Sequence, residues 1–421
     1  MDHVKHLQCL ICGRSYQPDK IDYICPEHGN EGIVDVVYDY DLIKESFNRE
    51  QLKGSSERTI WRYKPLLPVA ADSIVPPLAV GWTPLYAVPR LAADLGLKHL
   101  WVKDDGRNPT ASFKDRASAI AVVKAREKQA AVITTASTGN AAAALSGLCA
   151  SVGQACVIFV PAAAPQAKIA QLLAYGARVL LVQGTYNDAF ELCLEAAAEY
   201  GWYNRNTAYN PYMTEGKKTA AFEICEQLKW NAPDVILVSV GDGCIIGGLH
   251  KGLKDLLALG WIEKMPRLIG VQSEGSNFMA QAWENDEDVL TKAPIQASTV
   301  ADSISAELPR DRLKAMAAVR QTNGAYVQVS DEAILTAIPN LARGSGVFAE
   351  PAGAAAYAGL VKAVEKGLVS VDERVVVVNS GNGLKDVQSA MKGVEKVGNR
   401  PHLVEADMGR LRELMAEVSV R

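Results

Sequence analysis

The stretch DVILVSVGDGCIIGG, residues 234–248, decides the class of fold. Its first seven residues are mostly apolar and β-branched, which is typical of a strand. A glycine-rich turn follows at once and leads into a helical window over 245–258. Glycines let a ligand approach the backbone closely, and successive N–H groups of such a turn form a nest for an anion such as a phosphate. The alternative is a simple tight turn between a strand and a helix.

The same alternation of short β-rich runs and alanine-rich helical windows extends from about residue 98 onward. The strand candidates are HLWVK (99–103), AVITT (131–135), ACVIFV (155–160), ARVLLV (177–182), DVILVSV (234–240), RLIGVQ (267–272), YVQVS (326–330) and RVVVVNS (374–380). The helical windows are 115–128, 139–152, 165–175, 187–200, 215–229, 245–258 and 352–365. This order predicts right-handed βαβ units and therefore an α/β fold with an open, twisted, mostly parallel sheet.

Three strand candidates end in clusters of small or polar residues: ITTASTGN (133–140), LVSVGDGCIIGG (237–248) and VVNSGNG (377–383). Ligands bind at the carboxyl ends of strands in open α/β sheets, so the three clusters predict one large site. Free N–H groups with the hydroxyls of Ser137 and Thr138 would hold a carboxylate, and the amide of Asn140 could donate to a phenolate oxygen. The hydroxyl of Ser380 could meet a pyridine nitrogen. The alternatives are ordinary helix N-capping and a glycine-rich loop.

A further motif is NPTASFKDR, residues 108–116, at the predicted start of a helix. Burial and the positive end of the helix both lower the pKa of a lysine placed as Lys114 is, and the neutral amine is a nucleophile suited to a Schiff base. The alternative is a solvated Lys-Asp-Arg run.

The amino-terminal segment carries Cys9-x2-Cys12 and Cys25-x2-His28 within short alternating runs. This is zinc-ribbon spacing, and tetrahedral zinc accepts three thiolates and one imidazole. A metal would also stabilise about forty residues that have little core of their own. The alternative is a metal-free cap packed on the main body.

Composition excludes several classes of function. The net charge of −4 offers no basic surface for nucleic acid, and no apolar run is long enough to span a bilayer. The start of the chain does not have the pattern of a signal peptide. Cys149, Cys156, Cys193 and Cys225 are scattered among apolar or helical patterns, as reduced thiols are, so we expect a cytoplasmic protein.

Together, these motifs resemble the threonine synthase branch of the fold type II, tryptophan-synthase-β-like enzymes that use pyridoxal 5'-phosphate. The resemblance spans nearly the whole chain. It includes YDYD (38–41), GWTPL (81–85), NPY (210–212), EGKKT (215–219), GVQSEG (270–275), FAEPAG (348–353) and GLKD (383–386).

The resemblance implies a role for each motif. It implies cofactor contacts at Phe113, Lys114, Asn140, Gly241, Asp242, Gly243, Cys244, Ile245 and Ser380. It implies substrate contacts at Ser137, Thr138, Gly139, Asn140 and Lys168. Lys114 would carry the cofactor and move the Cα proton. A hydroxyl partner such as Ser380 leaves the pyridine nitrogen largely unprotonated, which suits elimination and replacement.

The resemblance also implies an arrangement of domains. We expect a ribbon-like segment at 1–45, a large cofactor-binding domain at 46–115 and 206–421, and a small α/β domain inserted at 116–205. The cofactor would lie between the two domains, and a homodimer is expected. The family often has a ribbon that ends in a fourth cysteine, so His28 is a variation.

Several residues depart from the family pattern. The family has an arginine for the substrate's γ-phosphate after Asn-Pro-Tyr, where this chain has Met213. Asp302 replaces a neutral residue, Ala141 a usual threonine, and Asp242 a common asparagine, although a carboxylate beside a phosphate is unfavourable unless it points away. Candidates to replace the lost arginine are Lys168, Lys217 and Lys218.

Three functions follow from these observations. The leading one is threonine synthase or a close paralogue, which releases phosphate from O-phosphohomoserine and adds water at Cβ. The second is a β-elimination or β-replacement enzyme, such as a serine/threonine dehydratase, a diaminopropionate ammonia-lyase or a cysteate-synthase-like enzyme. The third is a non-catalytic protein that binds pyridoxal phosphate.

Overall fold

The computed structural model describes residues 1–164 and 166–417. Its strands are β1 (Val4–Cys9), β2 (Ser15–Tyr16), β3 (Val34–Tyr38), β4 (Leu85–Ala87), β5 (His99–Asp104), β6 (Val132–Ala136), β7 (Ala155–Pro161), β8 (Arg178–Val182), β9 (Tyr203–Asn204), β10 (Val235–Ser239), β11 (Arg267–Ser273), β12 (Ala325–Val329) and β13 (Arg374–Asn379). Its α-helices are α1 (Tyr40–Ser46), α2 (Arg49–Gly54), α3 (Pro89–Asp94), α4 (Lys114–Glu127), α5 (Asn140–Ser151), α6 (Gln166–Ala174), α7 (Tyr186–Tyr200), α8 (Tyr212–Lys217), α9 (Thr219–Gln227), α10 (Cys244–Ala258), α11 (Phe278–Glu284), α12 (Arg312–Gln321), α13 (Asp331–Ser345), α14 (Pro351–Glu365), α15 (Val387–Lys396) and α16 (Met408–Glu417).

The larger sheet has the strand order β12-β11-β10-β13-β5-β4. Its pairs are parallel except for β4, which runs antiparallel to β5 at one edge. Alternate residues of the central strand β10 enter different hydrophobic cores: Ile236 and Val238 pack into one, and Val235 and Leu237 into the other. The continuous apolar sequence of this strand follows from that burial on both faces.

The smaller sheet has the order β8-β7-β6-β9, and all of its pairs are parallel. Its strands lie between residues 132 and 204, within the segment 116–205 for which an inserted domain is expected. Helix α4 packs against both α5 of this part and α8 of the larger part, so it connects the two sheets. The boundaries of the domains themselves stay a prediction.

The α/β fold class expected from the sequence is confirmed, and every strand candidate forms a strand. The window 215–229 divides into α8 and α9. Helix α6 ends at Ala174, and Gly176, two residues later, has a φ of +78° that favours glycine, while Pro165, the first residue of that window, lies outside the described residues. From α3 onward, the windows did not include α3, α11, α12, α13, α15 or α16.

The amino-terminal segment forms a three-stranded antiparallel sheet in the order β2-β1-β3. It packs directly on the larger part of the chain. Ile33 forms a small apolar cluster with Ala208 and Cys244, and the hydroxyl of Tyr38 donates to Glu215 over 2.6 Å. These contacts place the amino-terminal sheet, called the ribbon below, next to the start of α10.

A buried ion cluster holds the beginning of α4. The guanidinium of Arg116 pairs with Asp105 through Nε at 2.6 Å and with Glu223 through Nη1 at 2.5 Å. Lys103 donates to Glu223 over 2.6 Å, and all four side chains are fully buried. Two cations and two carboxylates balance in this cluster, so the arginine is both neutralised and hydrogen-bonded.

Across the part of the chain that the structure describes, the helices are all too short or too polar to cross a membrane.

We expect Arg116→Gln to lower the free energy of unfolding by about 3 to 5 kcal/mol, because it leaves the buried Asp105 without a counter-charge and Glu223 with Lys103 alone. Urea unfolding followed by circular dichroism measures this change. Arg126→Gln, which removes an exposed arginine from the same helix, is the matched control and should cost less than about 1 kcal/mol. Equal losses in the two variants would contradict the role given to the cluster.

Candidate active site

A cavity of about 580 Å³ lies at the carboxyl ends of β6 and β10, where the two parallel sheets face each other. Two of the three polar clusters line it, at residues 135–141 and 239–245, together with Lys114. The third cluster contacts the segment before Lys114, because Phe113 N donates to the carbonyl of Ser380 over 2.9 Å. The sheet edge therefore brings two of the three predicted clusters and Lys114 to one cavity, and the third cluster lies against the residue before Lys114.

Lys114 is the first residue of α4, and the preceding loop is tightly fixed. Asp115 accepts hydrogen bonds from the backbone N–H of Thr110 at 2.8 Å and from its hydroxyl at 2.5 Å. The amine of Lys114 faces the cavity and has no hydrogen-bond partner among residues 1–164 and 166–417. Burial lowers the pKa of this amine, although the charges of Cys244 and Glu350 act in the opposite direction. A lysine in this environment has a larger neutral, nucleophilic fraction than one in water.

The end of β6 offers backbone N–H groups to the cavity. Ser137, Thr138 and Gly139 all line it, and α5 begins at Asn140 without a side-chain cap. The Ser137 hydroxyl accepts from the N–H of Gly139 at 3.2 Å within the turn. The N-capping alternative is therefore not realised here, and the first N–H groups of α5 are available to an anion.

Asn140 is buried and forms a hydrogen bond that the sequence did not suggest. Its amide donates to Glu350 Oε1 over 2.7 Å, and Ser303 Oγ lies 3.4 Å away. Burial raises the pKa of Glu350 to about 7, although the charges of Lys114 and Lys385 act in the opposite direction. Glu350 stood out in the sequence only as part of FAEPAG, because nothing local reveals that its carboxylate reaches the end of α5.

The glycine-rich loop between β10 and α10 forms a cup at the cavity wall. Gly243 has a φ of +89°, and a Cβ at Gly241 would lie 2.7 Å from the Cα of Ile304, so both positions require glycine. Helix α10 starts at Cys244 without a side-chain cap, which leaves its N–H groups open toward the cup. The carboxylate of Asp242 accepts from the backbone N–H of Arg310 at 3.2 Å. Asp242 is thus held by the segment before α12.

Two cations near this cup lack acceptors. Arg205 Nη2 and Lys217 Nζ are buried and have no hydrogen-bond partner among the described residues. Burial lowers the pKa of Arg205 to about 10 and that of Lys217 to about 8. A buried cationic group without a counter-charge is costly, so Lys217, the cup and the uncapped helix fit a bound anion such as a phosphate, and Arg205 lies on the wall of the same cavity.

The residues that depart from the family pattern lie in different places. Met213 is fully buried in the main hydrophobic core. Asp302 pairs with Lys168, and both line a smaller cavity of about 190 Å³ next to the first. Lys218 is already paired with Glu215 at 2.5 Å and Asp255 at 2.7 Å. Of the three lysines considered as replacements for the missing arginine, only Lys217 has no carboxylate partner among the described residues.

The ribbon brings its four candidate ligands together. The ligand atoms of Cys9, Cys12, Cys25 and His28 all lie within 4.8 Å of one another. The Sγ atoms of Cys12 and Cys25 are 4.0 Å apart, and His28 Nδ1 is 3.5 Å from Cys25 Sγ. Tetrahedral zinc with bonds of about 2.3 Å to sulfur separates neighbouring thiolates by roughly 3.8 Å. The set is therefore compatible with a tetrahedral metal centre.

Comparison with known proteins identifies a matching family and close sequence relatives. The family described as pyridoxal-phosphate dependent enzymes matches residues 77–381. The threonine synthase of Methanocaldococcus jannaschii is 38% identical over 414 residues, which covers 98% of this chain and 99% of the relative. The threonine synthase of Methanosarcina acetivorans is 38% identical over 409 residues, with 97% and 98% covered.

Solved structures share the fold. The processed form of threonine deaminase isoform 2 from Solanum lycopersicum superimposes with a TM-score of 0.65 at 23% identity, covering 84% of this chain and 90% of the other. Diaminopropionate ammonia lyase from Escherichia coli superimposes with a TM-score of 0.65 at 19% identity, covering 83% and 93%. At these identities the likeness concerns the fold alone.

Replacing Glu350 with glutamine should change how stability depends on pH. The pKa of Glu350, about 7, lies above the ordinary 4.5, so the folded chain keeps a proton that the unfolded chain has released. Its contribution to stability is present below pH 4.5 and is lost as pH rises through 7. Between pH 5 and pH 8, the free energy of unfolding of Glu350→Gln should therefore rise by about 2 to 3 kcal/mol relative to that of the parent.

Urea unfolding at the two pH values measures this difference. Glu365→Gln, an exposed position at the end of the same helix, serves as the control. A stability difference between Glu350→Gln and the parent that is the same at pH 5 and pH 8 would contradict a protonated Glu350.

Proposed function

The chain belongs to the threonine synthase family of pyridoxal-phosphate-dependent enzymes, and from that premise we propose that it converts O-phosphohomoserine and water into threonine and phosphate. Pyridoxal phosphate is its cofactor. One observation carries the proposal: a half-buried lysine without a hydrogen-bond partner among the described residues faces a glycine cup across a cavity, and the helices α5 and α10 start at that cavity without side-chain caps. Threonine synthases that match nearly the full length of the chain supply the choice of reaction.

The residues at the cavity fit the cofactor. Lys114 would hold its aldehyde carbon, and the cup at 241–245 would hold its phosphate. The amide of Asn140 would donate to the phenolate oxygen, and the hydroxyl of Ser380 would meet the pyridine nitrogen. Bound pyridoxal phosphate withdraws electrons from the α-carbon of an amino acid joined to it, which makes the Cα proton acidic.

The chain's own groups would then act on the substrate. The lowered pKa of Lys114 suits an amine that takes a proton from Cα and returns it during one turnover. Residues 137–140 are proposed to orient the substrate carboxylate, through the uncapped N–H groups at the start of α5 and the hydroxyls of Ser137 and Thr138. Glu350 anchors the Asn140 amide on the other side, so this amide is positioned before the substrate arrives. Lys168, paired with Asp302 at the edge, is proposed as a further substrate contact.

A second candidate is β-elimination or β-replacement on a substrate without a phosphate. One observation favours it: the position after Asn-Pro-Tyr is Met213, and its side chain lies in the core rather than in the cavity. The substrate would then be serine, threonine or diaminopropionate.

The proposed reaction is tested by incubating the purified holoenzyme with O-phosphohomoserine, serine, threonine and diaminopropionate. We expect phosphate and threonine in equal amounts from O-phosphohomoserine alone. Ammonia and a 2-oxo acid from one of the other substrates would support the second candidate instead. Lys114→Ala should lose turnover and the yellow absorbance while keeping its unfolding midpoint, and normal activity in that variant would refute the role of Lys114.

We also propose that the ribbon binds one structural zinc ion through Cys9, Cys12, Cys25 and His28. The distances between the ligand atoms support this assignment. Bound zinc would join the turn at Cys9 and Cys12 to the turn at Cys25 and His28 and would stabilise the segment between them.

Zinc measured by mass spectrometry should be about one ion per chain. Cys25→Ser should lose the metal and unfold at a lower temperature. Cys193→Ser is the matched control, since Cys193 is also buried but lies beside Thr134 and Asn206, and it should keep the metal. Retention of zinc in Cys25→Ser would exclude this site.

Two properties of the whole protein follow from the same resemblance. We propose a homodimer, which the molar mass from light scattering checks. We also propose that the chain works in the cytoplasm, because its eight cysteines are free thiols in the structure and a reducing compartment keeps them so. Fluorescent tagging in the native cell checks this location.

A further inference from the structure

We infer that Arg205 binds a phosphate-type oxyanion on the side chain of the amino-acid substrate and thereby determines substrate specificity. The identity of that anion as the phosphate of O-phosphohomoserine rests on the proposed function. The presence of an anion subsite rests on the structure of Arg205 alone.

The hydrogen bonds of Arg205 are incomplete. Its Nε donates to the hydroxyl of Ser118 at 3.1 Å and its Nη1 to the hydroxyl of Thr207 at 2.9 Å, while Nη2 has no acceptor among the described residues. Both partners are neutral, and no carboxylate of residues 1–164 and 166–417 forms an ion pair with this guanidinium. The residue is 1% exposed, so its guanidinium is largely removed from bulk water although it lines the cavity.

Another buried arginine of this chain does have carboxylate partners. Arg116 is equally buried, yet it pairs with Asp105 and Glu223. Each pair supplies the counter-charge that a buried guanidinium needs. Arg205 has the same need without such a pair, so the counter-charge is expected from a ligand.

The position of Arg205 places this anion beside the reacting end of the substrate. It directly follows β9 and lines the cavity with Asn206 and Thr207. Its partner Ser118 stands four residues after Lys114 on α4, and residues spaced by four lie next to each other on one helix face, with Cβ atoms about 6 Å apart. Arg205, through its bond to Ser118, and Lys114 therefore approach the same cavity from neighbouring positions on α4.

The cofactor's own phosphate is the other possible source of the anion. The cup already offers that phosphate the open N–H groups of α10, and Lys217 lies nearby without an acceptor. Arg205 is thus available to a second oxyanion. A planar guanidinium binds phosphate or carboxylate oxygens through paired hydrogen bonds, which a lysine cannot reproduce.

The test uses the holoenzyme, in which the cofactor fills the cup, and inorganic phosphate as the probe. Phosphate affinity is measured by calorimetry for the parent, Arg205→Gln and Arg205→Lys. We expect Arg205→Gln to weaken phosphate binding and to raise KM for O-phosphohomoserine on the order of 10- to 100-fold, with a smaller change in kcat. Arg205→Lys should give a phosphate affinity and a KM between those of the parent and Arg205→Gln. This variant also tests the inference if Arg205→Gln does not fold.

The matched control is Arg310→Gln, which removes a cavity-lining arginine that already contacts Asn187 and the ring of Phe190. We expect its phosphate affinity to change by less than about threefold. An equal loss in this variant would refute a specific role for Arg205. So would phosphate binding and KM that stay near parental values in Arg205→Gln and Arg205→Lys.

Phosphate binding and turnover are measured separately, so the anion subsite and the proposed function can be refuted independently. If the parent binds phosphate through Arg205 but does not turn over O-phosphohomoserine, the proposed function fails and the anion subsite stands for another anionic amino acid. If Arg205→Gln instead releases the cofactor on dilution while KM is unchanged, Arg205 serves the cofactor's phosphate, and the inference is overturned.

Discussion

The buried pairing of Arg116 with Asp105 and Glu223 is the interaction on which the site depends. Arg116 lies two residues after Lys114, so whatever holds its guanidinium also sets the direction in which α4 begins. Asp105 follows β5, and Glu223 belongs to α9, so the pairing ties the helix to two separate parts of the larger unit. Because a guanidinium cannot be deprotonated or rehydrated in this place, alternative positions of α4 are strongly disfavoured.

The inward-facing cations of this chain fall into two groups. Those with carboxylate partners stabilise the fold, and those without such partners are placed for chemistry. Arg116, Lys103 and Lys218 each have carboxylate partners and belong to the framework. Lys114, Arg205 and Lys217 have no carboxylate partners among the described residues, and all three lie near the glycine cup or the cavity wall. Burial lowers the pKa of each of these three side chains, because their charged forms lack counter-charges. Groups in this state are suited to binding anions or reacting with electrophiles.

The amino-terminal ribbon supports the cup from outside the cavity. Its Ile33 packs on Cys244, the first residue of α10, and its Glu31 pairs with Arg312 on α12. Helix α12 also supplies Ala315, which closes the space that a Cβ at Gly243 would need. The ribbon therefore contributes to the shape of the cup even though none of residues 1–45 lines the cavity.

The sequence alone was sufficient for β5 to β8 and β10 to β13 and for the helices α4 to α10 and α14, because burial on both sheet faces and the glycine-rich turns leave a strong local pattern. It did not predict α3, α11, α12, α13, α15 or α16. It also singled out Lys114, Asn140 and the loop at 241–245, whose residue types are informative where they stand. It did not reveal Glu350 or Arg205 as site residues. Their importance comes from partners far along the chain, Asn140 for Glu350 and Ser118 for Arg205, and from the absence of an ion pair, which only packing can produce. The tertiary structure decided these roles because the protonation and pairing of a charge depend on which groups surround it in space, and no local sequence pattern records that.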